Sequence, residues 1–186
     1  MWLATWIPIY SHGWGFSNFL HFCDVAVILT CVGLACNSAL LVSSQAVASL
    51  LVDATWMVDV GWKLLFGHEL LGGAEYLWDV QHPLWIRMLS LFHVAMPLVL
   101  LWGVYRLGYD RRGLPLQVGI ALAGFIASRF TPQALNMNYA FADPFFHRAW
   151  GPAPTHIIVI LLFMILVVYV PTHLVLKRIF RPVPPQ

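Results

Sequence analysis

Charge is what this chain lacks most. Only 10% of its 186 residues are Asp, Glu, Lys or Arg, where a soluble domain carries about a quarter. The formal net charge of +2 is too small for the clustered basic footprint of a nucleic-acid binder, so no nucleic-acid partner is expected. Cysteine is scarce as well. Cys23, Cys31 and Cys36 lie on one stretch without C-x-x-C spacing, which excludes a disulfide framework and a zinc knuckle. The start, Met1-Trp2-Leu3-Ala4-Thr5-Trp6-Ile7-Pro8, lacks a basic region and breaks early at proline, so no cleavable signal peptide is expected. Neither internal repeats nor low-complexity stretches are present.

What fills the chain is apolar: 60% hydrophobic residues, nine Trp and a mean hydropathy of +0.77. This is the composition of an all-α, polytopic, integral-membrane protein. Five spans are predicted: Asn18–Cys36, Ala39–Gly67, Leu84–Leu107, Pro115–Phe130 and Thr155–Lys177. Only Asn37 and Ser38 separate the first two, which therefore form a tight hairpin. Three segments follow: an interfacial, Trp-rich stretch over 1–17, a transmembrane helical domain over 18–178, and a cytoplasmic tail over 179–186. Arg106, Arg111 and Arg112 in one loop and Lys177, Arg178 and Arg181 in the tail place both on the cytoplasmic side, with the N-terminus out and the C-terminus in. For a bacterial chain the compartment is the inner membrane.

Within this apolar background the polar residues are conspicuous. His93 sits inside a hydrophobic run, and an imidazole there requires a polar partner, because an unpaired buried polar group costs several kcal/mol. Pro97 has no N–H to give the carbonyl of His93, which weakens the helix at that position. An ionisable residue inside a span is a functional-site candidate by default. Counting about 1.5 Å per residue from the outer helix ends, Cys23 and Asp24 lie about 8–9 Å deep, Asp59 about 12 Å and His93 about 14 Å. On that count Asp53 lies deeper, at or beyond the midplane, and His173 close to the cytoplasmic face. The loops Glu75–His82 and Asn136–Asp143 are expected to roof this layer. Arg129 is expected to snorkel or to pair with an aspartate. His12, His68, His147 and His156 are expected to face water at the interfaces.

A thiol becomes a nucleophile as thiolate, and a nearby histidine generates it. Cys23 as nucleophile, His93 as general base and Asp24 or Asp59 as orienting carboxylate would suit acyl transfer from a lipid ester. His21, Asp53, Asn138 and Tyr139 are the candidate substrate-binding residues. Ser90, three residues before His93, is a rival nucleophile, and Cys31 and Cys36 read as packing residues.

His21-Phe22-Cys23-Asp24 opening one helix, His93 on a later apolar helix, and Asn138-Tyr139 followed by Pro144 and Gly151-Pro152 resemble a family of integral-membrane proteins. That family includes the cysteine-dependent membrane acyltransferase of ether phospholipids and its bacterial relatives. More distantly it is similar to the androgen-induced lipid-ester hydrolases, which use threonine as nucleophile. The resemblance spans roughly Phe19 to Ile160. It implies a nucleophile at Cys23, a catalytic histidine at His93, no cofactor, and membrane lipids as partners with a lipid ester as substrate.

Three other readings stay open from the residues alone. A b-type haem protein would use His93 with a second histidine such as His21. A metal-dependent hydrolase would use His93 with Asp24, Asp53 and Asp59. A non-catalytic accessory subunit would dock on a membrane-protein partner that the sequence does not identify.

Overall fold

In the computed structural model of the chain, residues 2–183 are described. Met1, which opens the 1–17 segment, and residues 184–186 of the predicted tail lie outside them. The described residues are all-helical, with a single bridge pair, Tyr109–Pro182, and no named strand. Six helices organise the described residues: α1 (Trp2–Trp14), α2 (Phe22–Ala35), α3 (Ala39–Phe66), α4 (Leu84–Leu107), α5 (Gly113–Ser128) and α6 (Ala153–Ile179). The helices α3, α4 and α6 are long and apolar enough to cross a membrane, consistent with a multi-pass membrane protein. With 14 and 16 residues, α2 and α5 reach about 21 and 24 Å, short of a hydrocarbon core of about 30 Å. The expected first span loses its opening because His21 is extended (φ −58°, ψ 134°) between a 3₁₀ turn, Phe16–Leu20, and α2.

Helix α3 is the central post, packed against α2, α4, α5 and α6. Ser38 starts it: its hydroxyl accepts the Leu41 N–H at 3.3 Å, satisfying one of the orphan donors of the first turn. Gly67 ends it at φ +80°, a left-handed cap that a residue without Cβ adopts freely. From Val42 to Ser49 every residue of α3 is buried. Apart from Gln45 these are small apolar and hydroxyl-bearing residues, and small side chains are what let neighbouring helix backbones approach closely inside a membrane.

That closeness is tightest where α5 begins. A Cβ on Gly113 would stand 2.8 Å from the Ser44 nitrogen and 2.9 Å from the Ser43 carbonyl carbon. The same junction is tied by Ser43 Oγ, which accepts the Asp110 N–H at 2.9 Å.

At this end of the bundle the loop after α4 and the chain after α6 meet. Tyr109 N–H donates to Arg181 O at 2.8 Å, and the Tyr109 hydroxyl lies 2.7 Å from His173 Nδ1. The basic residues of the loop and of the tail therefore share one end. Helix α1 lays Trp6 (2% exposed) and Tyr10 (6%) into the core, with Trp6 edge-on to Phe92 at 6.0 Å.

The Gly113 contact gives the first prediction. Gly113→Ala should lower stability by about 1–3 kcal/mol, the cost of overpacking against atoms that cannot yield, because the opposing atoms are backbone of the second turn of α3. Thermal unfolding of the detergent-solubilised variant, followed by circular dichroism, measures it. Gly119→Ala, where nothing lies within 4 Å of the added Cβ, should not lower the transition.

Candidate active site

A cavity of about 540 Å³ opens at the end of the bundle opposite the basic loops, within the roughly 300–1,000 Å³ typical of small-molecule sites. It collects His21, Cys23 and Asp24 from the start of α2, Asp53 and Trp56 from α3, His93 from α4, and Asn138 and Tyr139 from the loop after α5. Of the eight residues named from the sequence as site candidates, seven line it. The eighth, Asp59, does not.

The centre of the site is a buried pair. His93 Nδ1 lies 2.7 Å from Asp53 Oδ1, with the two residues 5% and 2% exposed. A carboxylate only accepts, so the hydrogen of this bond sits on Nδ1, and in the neutral imidazole Nε2 then holds the lone pair. The ring is fixed from the side by Trp56, stacked at 4.7 Å between centroids and 23° between planes. Trp56 is held in turn, its Nε1–H donating to the Tyr76 hydroxyl at 3.1 Å. Burial pushes the Tyr76 phenol up to about 12, so this hydroxyl is neutral at physiological pH.

The carboxylate on His93 is Asp53, and neither Asp24 nor Asp59 orients the ring as expected. Asp59 Oδ1 accepts the N–H groups of Leu70 and Leu71 at 2.8 and 2.7 Å, stapling the loop after α3. Asp24 Oδ2 accepts from Asn18 Nδ2 at 2.8 Å. The depth count failed for a geometric reason. Counted from their ends, Asp53 lies about 21 Å and His93 about 14 Å deep, so their contact means that α3 projects about five residues beyond α4. The projecting turn is Leu64, Leu65 and Phe66, all exposed.

Asn138 lines the cavity and also holds chain. Its Oδ1 accepts the Phe22 N–H at 3.0 Å, and its Nδ2 donates to Leu20 O at 2.7 Å and to Ser128 Oγ at 3.0 Å. Both amide hydrogens are thereby used, and the start of α2, where Cys23 stands, is pinned. His156, expected at the water interface, is instead 1% exposed. It accepts the Trp150 N–H at Nδ1 (3.2 Å), and its Nε2 lies 2.9 Å from Tyr139 O. Arg129 pairs with no aspartate. It donates to Ala140 O at 3.2 Å and covers the Phe141 ring at 4.1 Å.

Tyr10, Trp56, Glu75 and Tyr76 also line the cavity and were not singled out from the sequence. Trp56 was legible in principle, since it lies three residues after Asp53 and so on the same helix face. Tyr10 arrives from α1, which no periodicity places against the site, and Glu75 and Tyr76 come from the loop expected to roof it. Among the described residues no three His, Cys, Asp or Glu side chains group so as to hold a metal ion. No known family model, curated protein or solved structure matches the chain.

The clamp yields a prediction that is independent of chemistry. Asn138→Ala strands the Phe22 N–H and the Leu20 carbonyl, and each buried group left unpaired costs about 1–3 kcal/mol. The melting transition should fall, and a soluble maleimide should react with Cys23 faster than in the parent. Unchanged labelling with a normal melt would show that Asn138 does not hold this end of α2.

Proposed function

We propose that this protein is an integral-membrane lipid-ester hydrolase or acyltransferase, with Cys23 as nucleophile, His93 as general base and Asp53 as the residue that orients the base. The observation that carries the reading is the buried Asp53–His93 pair, 2.7 Å apart, in a cavity that Cys23 also lines. A carboxylate at one imidazole nitrogen and an open lone pair at the other are what a general base needs.

The chemistry follows from those roles. His93 Nε2 takes the thiol proton, and the Cys23 sulfur attacks the ester carbonyl carbon. The tetrahedral adduct collapses with cleavage of the carbon–oxygen bond, and the departing alkoxide takes the proton back from the imidazolium. This leaves an acyl thioester on Cys23 and a free alcohol. Water or a second hydroxyl then attacks the thioester, giving its proton to His93, and the acid or new ester leaves as the thiol is restored. In the first step Asp53 stabilises the imidazolium without itself taking the proton.

The membrane arrangement belongs to the same reading. Five crossings, with α2 and α5 as short spans, put the basic loop and tail in the cytoplasm by the positive-inside rule. The cavity then opens in the outer half of the bilayer, where lipid tails stay in hydrocarbon while the ester reaches the polar chamber.

Two predictions test this. Cys23→Ser preserves volume and hydrogen bonding, so the fold should persist while lipid-ester turnover falls sharply, serine being a much weaker nucleophile near neutral pH. His93→Ala should abolish turnover too, and combining it with Cys23→Ser should lose little more, because members of one catalytic unit are not additive. Mass spectrometry should find the acyl adduct on Cys23, and full activity of either single variant would overturn the mechanism.

The second concerns the orienting residue. Asp53→Asn should lower turnover by up to about 10⁴-fold, the loss seen when a triad carboxylate becomes an amide. Asp59→Asn and Asp24→Asn should not share that loss. If the Asp59 variant is the more impaired in steady-state turnover of a short-chain thioester, the assignment of Asp53 fails.

A further inference from the structure

Against the polar chamber lies a second cavity of about the same volume, 540 Å³. Its far walls are Leu51 and Thr55 of α3 and Val159, Phe163 and Val167 of α6, and the loop over 143–150 closes one end. The two cavities share a wall: Val52, Trp56, Gly73, Tyr139, Ile160 and Met164 line both. The indole that stacks on His93 is thus also part of this second cavity's lining.

The second cavity is apolar in its chemistry as well as in its residue types. Thr55 Oγ1 donates to Val52 O at 2.7 Å, within its own helix. Asp143 Oδ1 accepts the Phe145 and Phe146 N–H groups at 2.9 and 2.6 Å, so its charge is met by its own loop. Leu51, Phe163 and Val167 are 37%, 42% and 47% exposed, so the seam between α3 and α6 is open on the outward face of two helices long and apolar enough to cross a membrane. What such a face meets in a bilayer is hydrocarbon. From Val159 to Val167 the groove follows α6 for about 12 Å at 1.5 Å per residue.

A local change in α6 coincides with the groove. Met164–Tyr169 is a π-helical turn, a widening that recurs at functional sites. Met164 and Val168 from this turn line the groove. Pro171, two residues on, has no N–H to give the carbonyl of Val167.

We propose that this groove binds an acyl chain of a membrane lipid, entering laterally between α3 and α6 and ending at the wall shared with the polar chamber. The proposal rests on the enzymatic reading only for what happens to the ester at that wall; occupancy by the chain stands on the groove itself. An extended chain in the seam would present its carbonyl past Trp56 and Tyr139 toward Cys23 and His93.

The test uses the full-length protein in phosphatidylcholine vesicles doped with a phosphatidylcholine that carries a diazirine at the end of one acyl chain. After photolysis, peptide mass spectrometry should place adducts on Leu51, Thr55, Phe163 or Val167, in the parent and in Cys23→Ser alike. Leu98 on α4, 68% exposed, reports ordinary contact with surrounding lipid. Filling the seam with Leu51→Trp and Val167→Trp should lower adducts at Thr55 and Phe163 by about tenfold relative to Leu98, equivalent to about 1.4 kcal/mol of binding. Adducts no denser in the groove than at Leu98 in the parent would overturn the proposal. If groove adducts form while Cys23→Ser and His93→Ala leave ester turnover intact, the groove stands and the thiol mechanism falls.

Discussion

One constraint governs this molecule: a polar group inside an apolar bundle must find its partner within the protein. The Asp53–His93 pair is that constraint met at one point, and much of the architecture serves it. For the two side chains to touch, α3 must run past α4 by more than a turn, which sets the relative height of the two helices. Small residues from Val42 to Ser49 let α3 accept neighbours on several sides, so the pair is enclosed. Trp56 closes the remaining flank of the imidazole, and Tyr76 fixes Trp56 from the loop. Moving any of these leaves a buried imidazole or carboxylate without company, and the energetic penalty for that exceeds the worth of most single contacts.

The same logic divides the polar residues into those held for chemistry and those consumed by the fold. Asp59 through Oδ1, Asp143 and Asn138 are each engaged by backbone groups of neighbouring chain. Their work is to fix loops at the mouth of the cavity, and none has a comparable reason to meet a ligand. His93 is different, because its pairing through Nδ1 leaves Nε2 available. Asp24, fully buried, receives a bond from Asn18 on one oxygen and stands directly after the thiol.

Much of this was legible in the sequence. The scarcity of charge and the apolar runs indicated a helical membrane protein, and the long helices α3, α4 and α6 follow the hydropathy closely. His93 announced itself as a polar residue that required a partner. The identity of that partner was not legible, because depth along a helix can be counted but the height of one helix against another cannot. Asp53 and Asp59, six residues apart, could not be ranked without knowing that the end of α3 projects. His156 was misjudged for a related reason. Its position near a helix start suggests an interface, and only the folded loop over 139–150 buries it. The break at His21 is not legible in the sequence either, since an extended residue between a 3₁₀ turn and a helix leaves no mark on hydropathy.

The roof of the cavity shows how strain is retained beside a site. Asn136, Asn138 and Tyr139 have φ of +39°, +53° and +60°, a left-handed region that asparagine tolerates and a bulky tyrosine seldom occupies. Such residues persist only where their surroundings over-determine them, and here the surroundings can be named. Asn136 Oδ1 accepts the Phe141 and Ala142 N–H groups, both at 3.0 Å, and its Nδ2 donates to Ala142 O at 2.8 Å. Asn138 is tied to α2 and α5, and His156 engages the carbonyl of Tyr139 from α6. Three clamps from three directions thus hold three left-handed residues within one four-residue stretch. The consequence is that Tyr139 is delivered to the wall between the two cavities by a rigid loop, whose position is set by the same helices that carry Cys23 and line the groove. Strain, clamps and site therefore form one mechanical unit, in which the loop cannot relax without displacing the start of α2.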